Sequence, residues 1–375
     1  MNLILSTVGT SLLTNATTDA ERKLLNSSSN LTELEASDEL KQLVQSIKTK
    51  ISHIINGNDV VLLKKASAEL NGLISFYGGI IPETRDAHIL IGTDTFLGRT
   101  TVAILEEFLR NRNITVSYFI PEGFSTKERK TFLKGVKDLL RWFDNPDGEF
   151  SQYEKQNIPV IFNLTGSFKS LQGYLNTLGM FYADKLIYIF ETGNELIEIP
   201  RLPVKIDDSI FRKYSSEFAL MAADLIFNKN QISDVPETML EEMGQGKVVL
   251  SYWGELAWNK VKKEILSEKL LNLPMLDYSE SFKKEFDSIA DINEKIKLQE
   301  TIARCSKLLI ENNGNTGALK SDGGLLYEVY QNSSIGHFRI NRAMRVSCIK
   351  KNESIYLRHY GTHDYIYGAE GMKKN

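Results

Sequence analysis

Ile158-Pro159-Val160-Ile161-Phe162-Asn163-Leu164-Thr165-Gly166-Ser167-Phe168-Lys169-Ser170 decides the fold. A short β-branched run, the size of a fully buried strand, ends in small hydroxyl residues around one glycine and opens a helix. Runs of the same kind recur at Leu3–Val8, His88–Gly92, Ile114–Ile120 and Lys185–Phe190. Between them, Thr100–Arg112 and Lys127–Phe143 set Leu, Val, Ile and Phe three and four apart among Glu, Lys and Arg, so each buries one helical face. Strand and helix in alternation predict an α/β Rossmann-like, doubly wound parallel sheet, which binds ligands at the carboxyl ends of its strands. A helical stretch from Leu31 to Phe76, opened by the Ser- and Asn-rich loop Asn26–Asn30, interrupts the alternation after the first strand. It is expected to cover the site or a dimer face.

The pattern changes after Ile197-Glu198-Ile199-Pro200-Arg201-Leu202-Pro203, where two prolines are expected to end strand pairing. The first domain is therefore drawn as 1–204. Residues 205–277 are short and mostly helical, with Ser209–Asn228 as a helix and Val248-Val249-Leu250-Ser251 as one strand, which suits a winged-helix-like or linker module. Residues 278–375 form a third segment: helices Glu280–Ala290 and Ile292–Glu311, the Gly-rich loop Asn312–Gly324, and three strands. The strands are Leu325–Tyr330, His337–Asn341 running into Arg345–Ile349, and Ser354–Tyr360, a small α+β domain.

A chain of 375 residues has room for two or three cores, and 45 basic against 48 acidic residues argue against a globally basic coat for nucleic acid. Two cysteines, Cys305 and Cys348, are too few for a disulfide framework or a zinc site and point to a reducing compartment. The opening Met1-Asn2-Leu3-Ile4-Leu5-Ser6 reads as a strand and not as a signal peptide, and no apolar run approaches the ~20 residues of a membrane span. The expectation is a cytoplasmic protein with no membrane partner.

Candidate ligand groups sit on the turns. Ser6-Thr7-Val8-Gly9-Thr10-Ser11 leaves the first strand with backbone N–H groups where a phosphate could sit, and Thr10 and Ser11 add hydroxyls. Thr165, Gly166, Ser167 and Lys169 leave the fourth strand at a helix N-terminus, where a lysine opposes the helix dipole unless an anion compensates it. Thr165 and Ser167 also suit plain capping. A third turn, Gly92–Gly98, carries Asp94, read first as a cap for the next helix and otherwise as a ribose contact. Neither Gly-x-x-x-x-Gly-Lys-Ser/Thr nor Gly-x-Gly-x-x-Gly occurs, so a P-loop and a dinucleotide fingerprint are both excluded.

Ser6–Leu13, Asn163–Lys169, Leu186-Ile187-Tyr188-Ile189-Phe190-Glu191 and the Ile199–Pro203 exit together resemble the CARF domains of CRISPR-associated effectors, over Met1 to Val204. The resemblance implies a homodimer binding a cyclic oligoadenylate, most often cyclic tetra-adenylate, across its two-fold axis as an allosteric activator, with no further cofactor. A symmetric ligand suits two copies of one cradle. Some CARF domains also cleave their activator, with residues at the positions of Ser11 and Lys169 implicated.

At the other end, three of the five histidines, His337, His359 and His363, accompany Arg339, Arg342, Arg345 and Arg358. From Thr301 to Asn375 there are 11 Lys/Arg against 6 Asp/Glu, a net +5 in a chain of net −3, which is the local footprint expected for an RNA backbone. Alternation puts His337, Arg339 and Asn341 on one face and Phe338 and Ile340 on the other. Cutting RNA without a metal needs a proton acceptor, a proton donor and cations for the developing charge. The plain alternative is a solvated face. A metal on His359 and His363 is not expected, because their four-residue spacing falls on a strand end and a loop, not on one helix.

Gly336–Val346 and Gly361-Thr362-His363-Asp364-Tyr365-Ile366-Tyr367, with the two helices and the glycine-rich loop carrying Lys320, resemble the RelE/ParE superfamily of toxin ribonucleases. The resemblance implies that Arg345 is the central catalytic arginine, that Arg339 helps hold the phosphate, that Tyr367 stacks on or orients a base, and that His363 transfers a proton. His337 and His363 both compete for the general base. The combined expectation is a cyclic oligoadenylate-activated, metal-independent endoribonuclease that cuts mRNA on the ribosome during CRISPR immunity. Two rivals remain: a winged-helix transcription regulator, and a ring nuclease that degrades its activator.

Overall fold

Short strands pair side by side in the first part of the chain, and the three central ones, at Leu3–Thr7, Ala87–Ile91 and Val160–Asn163, are buried throughout. They are β1 (Leu3–Thr7), β2 (Ala87–Ile91), β3 (Thr115–Phe119), β4 (Val160–Asn163) and β5 (Lys185–Ile189), joined by an edge strand β6 (Leu196–Pro200). The order is β3-β2-β1-β4-β5-β6, with the first five parallel and β6 antiparallel to β5. The computed structural model describes residues 1–166, 169–190, 195–331 and 333–371, with Lys169 and Ser170 described by backbone alone. It divides into two compact units, Met1–Val204 and Lys205–Asn375.

In the first unit the sheet is mixed α/β and compatible with a Rossmann-like fold. Ile4, Leu90, Ile161 and Ile187 pack with helices Asp38–Asn56, Ala68–Phe76 and Phe96–Arg110 into one cluster. Phe143, Phe150, Phe162 and Tyr182 form an aromatic cluster with Trp142. Because the chain runs outward from β1 to β3 and returns to β4, the topological switch point falls between β1 and β4. The turns carrying Ser11 and Gly166 leave these two strands. One expectation fails here: the prolines do not end pairing, since Leu196–Pro200 pairs along its length with β5. As an edge strand it leaves one side unpaired, which is where proline is tolerated.

The second unit contradicts a boundary at 277. Phe211, Phe218 and Trp258 share one hydrophobic cluster with Phe282, Phe338, Val346 and Leu357, so 205–277 and 278–375 build one core. Helix Tyr252–Glu268 packs against helix Ile292–Glu311. A small sheet of β7 (Phe227–Asn228), β8 (Leu240–Gly244) and β9 (Lys247–Leu250) runs in the order β7-β9-β8. The expected helix Ser209–Asn228 is two helices, Ser209–Lys213 and Ser215–Ala222, ending in β7.

A second sheet follows: β10 (Leu276–Tyr278), β11 (Glu328–Val329), β12 (Ile335–Arg339), β13 (Met344–Lys351) and β14 (Ser354–Thr362), in the order β10-β14-β13-β12-β11. The stretch expected to run unbroken from His337 into Ile349 is a hairpin. The Asn341 side chain accepts from the N–H groups of Ala343 and Met344, both at 2.8 Å, and reverses the chain there. The chain then closes with helix His363–Ala369, so His363 opens a helix instead of lying in a loop. Thr362 caps it, its hydroxyl accepting from Tyr365 N at 3.3 Å. Among the described residues no helix is long and apolar enough to cross a membrane.

Candidate functional site

The two switch-point turns meet, as a phosphate cradle requires. A Cβ on Gly9 would lie 2.5 Å from the Gly166 carbonyl oxygen, so the turns touch through bare backbone. The space between them is filled by a side chain that sequence reading missed. Glu69, only 1% exposed at the start of helix Ala68–Phe76, accepts from Gly9 N at 2.7 Å, Ser11 Oγ at 3.0 Å and Ser67 Oγ at 2.5 Å. A Cβ on Gly166 would stand 2.1 Å from Glu69 Oε1, so glycine there makes room for the carboxylate. The helical insertion thus reaches the site itself. A lone charge in the otherwise uncharged Ala68-Glu69-Leu70-Asn71-Gly72-Leu73-Ile74 was the available signal.

Asn163, fully buried at the end of β4, donates from Nδ2 to the Glu69 carbonyl at 3.1 Å, and its Oδ1 accepts from Thr165 Oγ1 at 2.9 Å. Thr165 therefore braces its own turn, four residues before the helix that begins at Lys169. Thr10 is partly exposed at the rim. Ser167 lies outside the described residues, as does the side chain of Lys169. Asp94 is not a helix cap either. Thr95 caps helix Phe96–Arg110 through Gly98 N, while Asp94 accepts from Arg99 and from Gly123 N at 2.9 Å. Burial pulls its carboxyl upward, but the Gly123 N–H and the Arg99 guanidinium outweigh this and hold it below the usual carboxylate value.

The second cluster lies on one face of the five-stranded sheet. Register sets Arg339 directly opposite Arg345 across the β12/β13 pair, and His337 opposite Ser347. Phe338 and Ile340 are buried on the other face, as alternation requires. His337 is itself buried, at 6% exposure, and is not a solvated group. The Tyr330 ring packs 4.4 Å from the His337 ring and 5.1 Å from Tyr367, and Tyr367 lies 4.7 Å from His363. Tyr330, just past β11, is a second member that the sequence did not announce. Burial, then the charge of Arg345, depresses His337 to about 4, so it is neutral at pH 7. Burial raises the Tyr330 phenol to about 12.

Facing arginines at one register position repel each other. Among the described residues neither Arg339 nor Arg345 has a carboxylate at ion-pair distance, and Arg345 Nε, His337 Nδ1 and the Tyr330 hydroxyl are buried without hydrogen-bond partners. The other cations expected here separate from them. Arg358 is held 2.9 Å from the buried carboxylate of Glu370, and His359 Nδ1 lies 2.8 Å from Glu285. Arg342 is exposed in the hairpin turn, and Lys320 is exposed on the short helix Gly317–Ser321, with no hydrogen bond or ion pair among the described residues.

Residues 64–202 match the family model of a CRISPR-associated protein (Cas_APE2256). The match supports a CRISPR-associated protein and suggests a role in CRISPR defence. It takes in Glu69, Asp94, Thr165, Gly166, Ser167 and Lys169, and ends two residues short of the first unit's limit. No curated protein matches the chain.

Proposed function

We propose that the chain is a cyclic oligoadenylate-activated endoribonuclease of CRISPR defence, with the nucleotide taken by the first unit as a homodimer and RNA cut by the second. The observation that carries the reading is the Arg339/Arg345 pair: two facing guanidiniums without carboxylate partners form a vacancy for one anion, and a scissile phosphate fits it. The family match and the switch-point turns support the first half of the reading. RelE-like and CARF-like domain identities remain part of this proposal, as does mRNA on the ribosome as the substrate.

In this reading the exposed His363 is the imidazole that reaches the RNA and transfers the proton, while the buried His337, neutral at pH 7, packs behind it against Tyr330. Arg345 and Arg339 stabilise the charge that builds on the phosphate, and Tyr367 and Tyr330 offer ring faces to a base. The chemistry uses side chains alone, so cleavage should persist in chelator. The transcription-regulator alternative loses ground because the segment between β7 and β8 holds only two short 3-10 turns, Lys229–Ile232 and Glu237–Met239, and no helix to enter a major groove.

The test is RNA cleavage with and without cyclic tetra-adenylate, with and without ribosomes. Wild type should cut only with the nucleotide, and Arg345→Ala should lose about 100-fold or more. Equal cutting by both proteins would exclude the assigned site, and absence of cutting under every condition would favour the regulator.

A further inference from the structure

Ser11 is one of the hydroxyls that the sequence places on the phosphate turn, and its surroundings leave it no proton to give a phosphate. A hydroxyl has one proton and two lone pairs. The Ser11 proton goes to Glu69 Oε2 at 3.0 Å, and one lone pair accepts from Ala68 N at 3.0 Å. Only one lone pair is left for a ligand. Glu69 cannot share in donating, because a carboxylate only accepts, and its other partners, Gly9 N and Ser67 Oγ, also donate to it. Ser67 is committed as well, since its oxygen accepts from Leu70 N at 3.2 Å. Withdrawing Glu69 would leave the buried Gly9 N–H without a partner, which is costly. A phosphate oxygen at Ser11 would meet an acceptor backed by a buried negative charge.

We infer that Ser11 reads a hydrogen-bond donor of the nucleotide, a ribose hydroxyl or the adenine amine, and that Glu69 is the positioning residue that fixes this polarity. Phosphate contacts then belong to other groups of the site. The inference rests on the nucleotide reading of the first unit.

Titration calorimetry of the full chain with cyclic tetra-adenylate, its all-2′-deoxy counterpart and cyclic tetra-inosinate tests this, since one altered ring lacks the hydroxyls and the other the amines. One of the two should bind wild type about tenfold more weakly or worse, and that loss should shrink to roughly threefold or less in Ser11→Ala. Glu69→Gln should shrink it too. Its amide oxygen keeps the Gly9 bond, while its NH₂ donates to Ser11 Oγ and frees the serine proton. If Glu69→Gln does not fold, Ser11→Ala alone decides. Equal binding of all three rings by wild type, or the same loss in wild type and Ser11→Ala, overturns the inference and leaves the nucleotide reading standing. Binding of none overturns both.

Discussion

His337 makes the stability of the second unit depend on pH. Its folded value near 4 lies below the usual 6.5 because burial and Arg345 disfavour the imidazolium. Between those two values the unfolded chain binds the additional proton, so stability rises with pH there. The contribution is fully present above pH 6.5 and drains away as pH falls toward 4. His88, buried in β2 of the first unit and also depressed to about 4 by burial, adds a second contribution of the same sign. His337→Gln cannot take up the proton, so its urea midpoint should fall less than that of wild type between pH 7 and pH 4.5. Equal falls would place the acid sensitivity elsewhere. At this scale Ser11 differs most from its sequence reading, since its hydroxyl proton is given to Glu69 and only a lone pair is left for a ligand.

Among elements, helix Ala68–Phe76 and the two switch-point turns behave as one piece. Asn163 ties the end of β4 to the Glu69 carbonyl, and the Glu69 side chain ties the helix to the first turn. A methyl group on Gly9 would press at 2.5 Å on the Gly166 carbonyl, which is backbone and cannot swing aside. Gly9→Ala should therefore destabilise the protein by about 2 kcal/mol and weaken nucleotide binding together, as chemical unfolding and titration would show. Unchanged stability would mean that the turns move apart easily. In the second unit, the closing helix owes its placement to Glu285. Its carboxylate accepts from Tyr360 N at 2.6 Å and Tyr365 Oη at 2.5 Å, which fixes the end of β14 and the helix carrying His363 and Tyr367.

At the scale of the whole molecule, gating demands two states that bind the nucleotide with different affinity. A nucleotide at about 100 times its Kd stabilises the unit that binds it by about 2.7 kcal/mol. Saturating cyclic tetra-adenylate should raise a melting transition of wild type in calorimetry, and Lys169→Ala should return it toward the ligand-free temperature. No shift in wild type would remove the nucleotide from the proposal.

Strands β1 to β5 were legible as short runs of β-branched and apolar residues to within a residue or two, and for β1, β2 and β4 the reason is that a strand buried on both faces needs nothing but continuous hydrophobicity. The antiparallel edge strand β6 was hidden by prolines that only an edge tolerates. The boundary at 277 was drawn from a change of local pattern, whereas a shared core is a matter of which faces meet: Trp258 and Phe338 lie 80 positions apart in one cluster. The face shared by His337 and Arg339, opposite Phe338 and Ile340, was legible from alternation. By itself the sequence determined an α/β first unit with small hydroxyl- and glycine-bearing turns on its strand ends and a basic stretch near the end of the chain, since period and composition are local quantities. Tertiary structure alone decided that Glu69 fills the cradle, that Arg339 faces Arg345 while Arg358 is neutralised, and that Tyr330 lies between His337 and Tyr367. Each of these depends on register and on contacts between distant segments, and no local spacing encodes the distance across which a charge finds its partner.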